Sequence, residues 1–202
     1  MARHPDEAPD IGLADELIFR PRGLSLQAYT HEELVRGKTP DRRVLQGGNL
    51  VAYMEIKSPR DDWMDEKLEQ AAPGEMVGGL REDPVFKRIR RHVRDAAEQF
   101  EAVNPVREHP NILVLVNHGT MNDYRDLREA VTGEFYAEGG ERFPTMKREA
   151  DQLVAKNSID AIAWIDARDC RLEGFMLNVQ ATPDFTSQVC ALLGLDPATI
   201  RR

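Results

Sequence analysis

The stretch NILVLVNHG, running from Asn111 to Gly119, constrains the fold more than any other part of the chain. Ile112 to Val116 are uninterrupted apolar residues, bounded by Pro110 on one side and Gly119 on the other. A strand with one solvated face alternates in polarity, so an unbroken run asks for cover on both faces. Directly before it lies DPVFKRIRRHVRDAAEQFEAVNP, the clearest helical pattern in the sequence. Asp83 is its cap, Pro84 sits in the first turn where a missing N–H costs nothing, and Phe86, Ile89, Val93, Ala96, Ala97 and Phe100 recur at helical spacing. A long amphipathic helix feeding a doubly covered strand predicts an α/β or α+β chain with one mixed central sheet flanked by helices.

Other elements fit around this pair. The pattern predicts a helix around Asp10 to Ile18, a strand around Leu24 to Tyr29, and a helical turn in THEELVRGK with Thr30 and Glu33 as a capping box. PDRRVLQGGNLVAYMEIKSP reads as a β-hairpin, and SPRDDWMDEKLEQAAPGEMVGGL as irregular chain with at most one helical turn. Helices are expected near Tyr124 to Val131 and from about Phe143 to Lys156. A second hairpin, IDAIAWIDA and LEGFMLNVQ, turns at Arg168 to Arg171, and a final helix runs from Thr182 or Pro183 to Gly194. No repeat or linker divides the chain, so one domain over residues 1–202 is expected, with the first ten residues frayed.

The first hairpin carries charge where a sheet would not choose it. In VAYMEIKSP, Val51, Tyr53, Glu55 and Lys57 share one face, and Ala52, Met54 and Ile56 the other. The turn decides where Asp41 goes. A three-residue loop Gly47-Gly48-Asn49 pairs Gln46 with Leu50 and sets Asp41 opposite Glu55; a two-residue loop sets it opposite Met54, facing away. Opposed carboxylates repel by a few tenths to about 1 kcal/mol, so the first arrangement wants a compensating cation. Lys57 supplies part of it, and carboxylate and carbonyl oxygens suit Mg²⁺ or Mn²⁺ for the rest. The competing reading is a solvated polar face with a cross-strand ion pair.

Pro40-Asp41 followed by Glu55-Ile56-Lys57 at the end of the second strand resembles the signature of the PD-(D/E)XK nuclease superfamily, the restriction-endonuclease-like fold. The order of hairpin, helix and buried strand matches that family's core over roughly Asp10 to His118, which would leave residues 119–202 as accessory helices, a hairpin and a C-terminal helix. The resemblance implies a metal held by Asp41, Glu55 and the main-chain carbonyl of Ile56, with Lys57 serving the attacking water. It implies a divalent-metal-dependent nuclease, acting on DNA more readily than on RNA. The family draws a further acid from a helix before the first strand; Asp15, Glu16, Glu32 and Glu33 are the candidates here. It also often lends the site a polar side chain from the following helix, for which Gln99 and Arg88 are candidates. The bare strings recur, at Pro5-Asp6, Pro9-Asp10, Pro183-Asp184 and Asp65-Glu66-Lys67, so context rather than spelling carries the match.

Projected at 100° per residue, Lys87, Arg90, Arg91 and Arg94 fall in one arc beside the apolar arc of the long helix, with Arg88, His92 and Gln99 on the other flank. On a chain of net charge −8, that arc is the expected local surface for nucleic-acid phosphates. No apolar run reaches membrane-spanning length and the N-terminus lacks a secretory pattern, so a cytoplasmic protein without a membrane partner is expected. Cys170 and Cys190 are expected as reduced thiols. His109, His118, Trp63, Trp164, Asp160, Asp166 and Asp169 read as structural. A rival reading keeps the fold without catalysis and uses the C-terminal hairpin and helix for self-association as a homodimer. A third is a metal-dependent hydrolase of another phosphorylated substrate.

Overall fold

The computed structural model describes residues 7–59, 67, 69–77, 84–120, 122–137, 139–178 and 183–196. The expectations for the first six residues, Asp83, Trp63, Asp65-Glu66 and most of the segment after Pro59 therefore lie outside the described residues, while residues 7–10, expected to fray, are helical. Helix α1 (Glu7–Ala14) continues as a π-helical turn over Asp15–Phe19 and leads into strand β1 (Leu24–Gln27). Helix α2 (His31–Arg36) follows, and its Thr30–Glu33 capping box is formed in both directions. Strands β2 (Arg42–Gln46) and β3 (Asn49–Lys57) make the charged hairpin; helix α3 (Pro84–Val103) leads to β4 (Asn111–Asn117). Every residue of β4 is buried, as its apolar run requires.

The fold is mixed α/β. One six-stranded sheet has the order β1-β2-β3-β4-β7-β8, with β7 spanning Ala161–Asp166 and β8 Arg171–Leu177. Strands β3, β4 and β7 run parallel, while β1-β2-β3 and β7-β8 are antiparallel. The second hairpin, expected as an addition, thus continues the central sheet by pairing β7 with β4. On one face Ala52, Met54, Ile56, Ile112, Val114 and Val116 pack with α1 and with α6 (Pro183–Leu193). On the other, Leu113, Leu115 and Trp164 pack against α3 and α4 (Tyr124–Thr132).

The helix expected from Phe143 to Lys156 is broken into three pieces. Arg142–Pro144 is strand β6, paired with β5 (Glu134–Tyr136) in a separate two-stranded ribbon; Lys147–Asp151 is the short α5, and Val154–Ser158 a 3₁₀ turn. Gly133 ends α4 at φ +72°, and a Cβ there would lie 2.6 Å from Lys147 Cα and 2.7 Å from Met146 O. That close approach of the returning chain is what the helical pattern did not encode. Among the described residues no helix is long and apolar enough to cross a membrane. Cys170 and Cys190 are both free thiols, the first exposed and the second buried.

The hairpin register follows from two irregularities that cancel. Gly47 and Gly48 have φ +57° and +85°, so the loop has two residues, with Gln46 paired to Asn49 and Leu45 to Leu50. Two successive positive φ values belong to the tight turn whose twist matches the strands, and Gly-Gly adopts them without steric cost. A β-bulge then inserts Val51, so Val44 pairs with Ala52, Arg43 with Tyr53 and Arg42 with Met54. One step on, Asp41 stands opposite Glu55. The three-residue loop expected for that pairing is replaced by a two-residue loop plus one bulged residue, which advance the register by the same amount.

Candidate metal and active site

Residues 53 and 55 of β3 direct their backbone groups to β4, as the Tyr53 N–H donating to Pro110 O at 2.9 Å shows. Residues 52, 54 and 56 therefore direct theirs to β2. Strand β2 begins only at Arg42, so Ile56 meets no strand partner on that side. Its N–H instead donates to Asp41 Oδ2 at 2.8 Å. The Asp41 N–H returns a bond to Glu55 Oε2 at 2.8 Å, closing a loop of side chain and backbone between the two acids. Lys57 Nζ donates to Glu55 Oε1. Because an extended residue points its N–H and C=O to the same edge, the Ile56 carbonyl opens toward the same gap beside Asp41.

Glu55 has no exposed surface. Burial and then the neighbouring Asp41 carboxylate push its pKa up to about 8, against the pull of Lys57. A buried acid so destabilised as an anion is one that a hard cation would relieve. The available oxygens fit such an ion: the Asp41 and Glu55 carboxylates and the Ile56 carbonyl are the donor types Mg²⁺ and Mn²⁺ take. Among the described residues no cluster of three or more His, Cys, Asp or Glu side chains gathers for a metal, so the site rests on two carboxylates and a carbonyl.

Helix α3 closes the site from the sheet face that carries Glu55. Gln99 Nε2 donates to Thr39 O at 3.1 Å and pins the loop that delivers Asp41; Lys38 pairs with Glu98 at 2.6 Å across the same gap. Two turns earlier, His92 is half-buried with an Nδ1 that has no hydrogen-bond partner. Burial first, then the positive fields of Arg91, Lys57 and Arg88, lower its pKa to about 4, so it is neutral at pH 7. His92 escaped notice as a site residue, although the helical projection had already placed it with Arg88 and Gln99 on one flank.

The candidate helix acids do not reach the site. Glu33 is spent on the Thr30 cap and on Arg43, Glu16 on an i,i+4 pair with Arg20 at 3.9 Å, Asp15 on Arg20, and Glu32 on Arg36. The buried acid of α1 is Asp10, which accepts from the Ser58 hydroxyl and meets His118 Nε2 at 2.9 Å. Through these two contacts Asp10 braces α1 against the residues that follow β3 and β4. The sequence signal for it was its phase with Ile11, Ala14 and Ile18 on the buried face of α1. His118 accordingly has a structural partner, as do Asp160, which accepts from the Asn111 N–H at 2.8 Å, and Asp166, which caps the β7–β8 turn through the Arg168 N–H at 2.9 Å.

The basic arc is smaller than expected. Arg90 is buried, with Nη1 3.4 Å from Met146 Sδ, because it lies at the margin of the apolar arc where the β6–α5 connection folds over the helix. Lys87, Arg91 and Arg94 are exposed. Comparison with models of known protein families, with curated proteins and with solved structures gave no match.

Proposed function

We propose that the chain is a divalent-metal-dependent nuclease that hydrolyses phosphodiester bonds in nucleic acid, DNA more readily than RNA. The observation that supports this most is the closed Asp41–Glu55–Ile56 arrangement, in which two carboxylates and the Ile56 backbone meet in a single gap beside the first residue of β2. It resembles the metal-holding corner of the PD-(D/E)XK nucleases residue by residue. Asp41, Glu55 and the Ile56 carbonyl would hold Mg²⁺ or Mn²⁺. Such an ion, when bound, lowers the pKa of a bound water and offsets charge developing on the phosphate.

The protein's own groups do the rest. Lys57, paired to Glu55 and partly exposed, places an ammonium beside the reacting phosphate, where removal of one such charge commonly costs a factor of about 10² to 10³ in rate. Gln99 fixes the loop that orients Asp41. His92, held neutral, fills the wall behind Lys57 without adding a second buried charge.

Single-stranded and duplex DNA and RNA, incubated with Mg²⁺, Mn²⁺ or EDTA, test the proposal with wild type, Lys57→Ala and Asp41→Asn. Metal-dependent chain cleavage by wild type, lost in both variants, is expected. Equal background cleavage by all three proteins would leave an assembly or binding module as the better description, and turnover of small phosphoesters alone would move the substrate class.

A further inference from the structure

The row of residues next to Asp41 and Glu55 has a shape and chemistry of its own. Arg43 stands opposite Tyr53 across β2 and β3, two residues before the Asp41–Glu55 pair along each strand's course toward the site. Two residues of strand cover about 7 Å, close to one nucleotide of an extended single strand. Tyr29, beyond the end of β1, completes the row, with the Arg43 guanidinium 4.1 Å above its ring. Arg43 is itself fixed by an ion pair to Glu33. Together with Lys38, Thr39 and the end of α3, these side chains bound a cleft of about 270 Å³.

Two details of the cleft suit a ligand with a flat ring and an anionic backbone. Tyr29 is buried, at 8% exposure, so its ring is a fixed backing for the Arg43 guanidinium that lines the cleft. At the rim, Arg36 and Lys38 make exposed pairs with Glu32 and Glu98. Exposed pairs of this kind contribute little to stability, so phosphates can replace the glutamates at small cost. The Arg43 guanidinium, backed by the buried Tyr29 ring, and the partly exposed Tyr53 ring beside it are the planar groups on which an unpaired base can stack, and bases inside a duplex cannot present their faces to them.

We propose that this cleft, bounded by Tyr29, Arg43, Tyr53 and Lys38, is the subsite for an unpaired base next to the phosphate at Asp41 and Glu55, so that the substrate is single-stranded or frayed nucleic acid. The proposal rests on the nuclease reading and adds the substrate class. It also gives a role to the Gln99–Thr39 bond, which fixes a lining residue of the cleft two positions before Asp41.

The test is binding of fluorescein-labelled oligothymidylate, an abasic deoxyribose-phosphate strand of equal length and a duplex, by anisotropy in EDTA, with cleavage in Mn²⁺ measured in parallel. Wild type is expected to bind oligothymidylate at least about ten-fold more tightly than the abasic strand. Tyr53→Ala should lose that margin while its affinity for the abasic strand stays within about two-fold, and Tyr53→Phe, which keeps the ring, should restore it. Tyr53→Leu guards against a packing defect, since it keeps apolar bulk and should behave like the alanine variant. Equal binding of base-bearing and abasic strands by wild type, or tighter binding of duplex, overturns the subsite. If cleavage in Mn²⁺ persists under that result, only the subsite fails; if no nucleic acid is bound or cut, the nuclease reading fails with it.

Discussion

Replacing Glu55 by glutamine should stabilise the metal-free protein at alkaline pH while removing its response to metal. Glu55 is fully buried and carries its proton up to about pH 8 in the folded state, against an ordinary value of 4.5. A raised folded-state pKa contributes stability that is complete below pH 4.5 and is lost as the pH climbs through 8. Over that window the unfolded chain has released a proton that the folded chain still holds. Ionising Glu55 in place then costs up to about 5 kcal/mol at pH 9. Glutamine keeps an acceptor for the Asp41 N–H or for Lys57 but not for both, a loss of about 1–2 kcal/mol. Urea unfolding in EDTA should therefore find the two proteins within about 1 kcal/mol of each other near pH 6, and Glu55→Gln ahead by about 3–4 kcal/mol at pH 9. Millimolar Mn²⁺ at pH 8 should raise the stability of wild type, because binding draws on the ionised carboxylate, and leave the variant unmoved. A variant less stable than wild type at pH 9, or a difference between them that does not change with pH, would refute the argument that this carboxylate is held against its own burial.

His92 works with the opposite sign. Its folded pKa near 4 lies below the ordinary 6.5, so stability should fall as pH drops through that window, by up to about 3 kcal/mol, and His92→Gln should flatten the loss in urea titrations at pH 7 and 4.5. Lys57→Ala should lower the rate of metal-dependent cleavage by about 10²-fold or more while changing affinity for oligothymidylate by less than about three-fold, measured by single-turnover kinetics and anisotropy. The two kinds of glycine should separate in thermal denaturation. Gly48→Ala meets nothing within 4 Å and should cost only the strain of its φ of +85°, about 1–2 kcal/mol, whereas Gly133→Ala meets backbone at 2.6 Å and should cost more.

The doubly covered strand β4 and helix α3 were legible because each is specified locally, by an unbroken apolar run and by a 3.6-residue period. The pairing of Asp41 with Glu55 was legible for a less secure reason. Counting back from the turn reached the right partner through a three-residue loop, while the chain uses two glycines and the bulged Val51. Nothing in the alternation of VAYMEIK marks Val51 as the extra residue. The flanking acids illustrate a different limit: Asp15, Glu16, Glu32 and Glu33 all lie on suitable helices, but ion pairs with Arg20, Arg36 and Arg43 hold them elsewhere. Arg90 was misplaced because a helix projection does not know that the β6–α5 connection covers one margin of α3. Likewise the joining of β7 to β4 is a choice between strands distant in sequence, and their separate apolar runs do not name their partner.

Anomalous diffraction from a crystal soaked in Mn²⁺ tests the central claim most directly. The account predicts one strong peak in the gap just before the start of β2, about 2.2 Å from an Asp41 carboxylate oxygen, a Glu55 carboxylate oxygen and the Ile56 carbonyl. Lys57 Nζ should then have moved off Glu55 Oε1. A map with no peak at that gap, while Lys57 keeps its contact with Glu55, would contradict it.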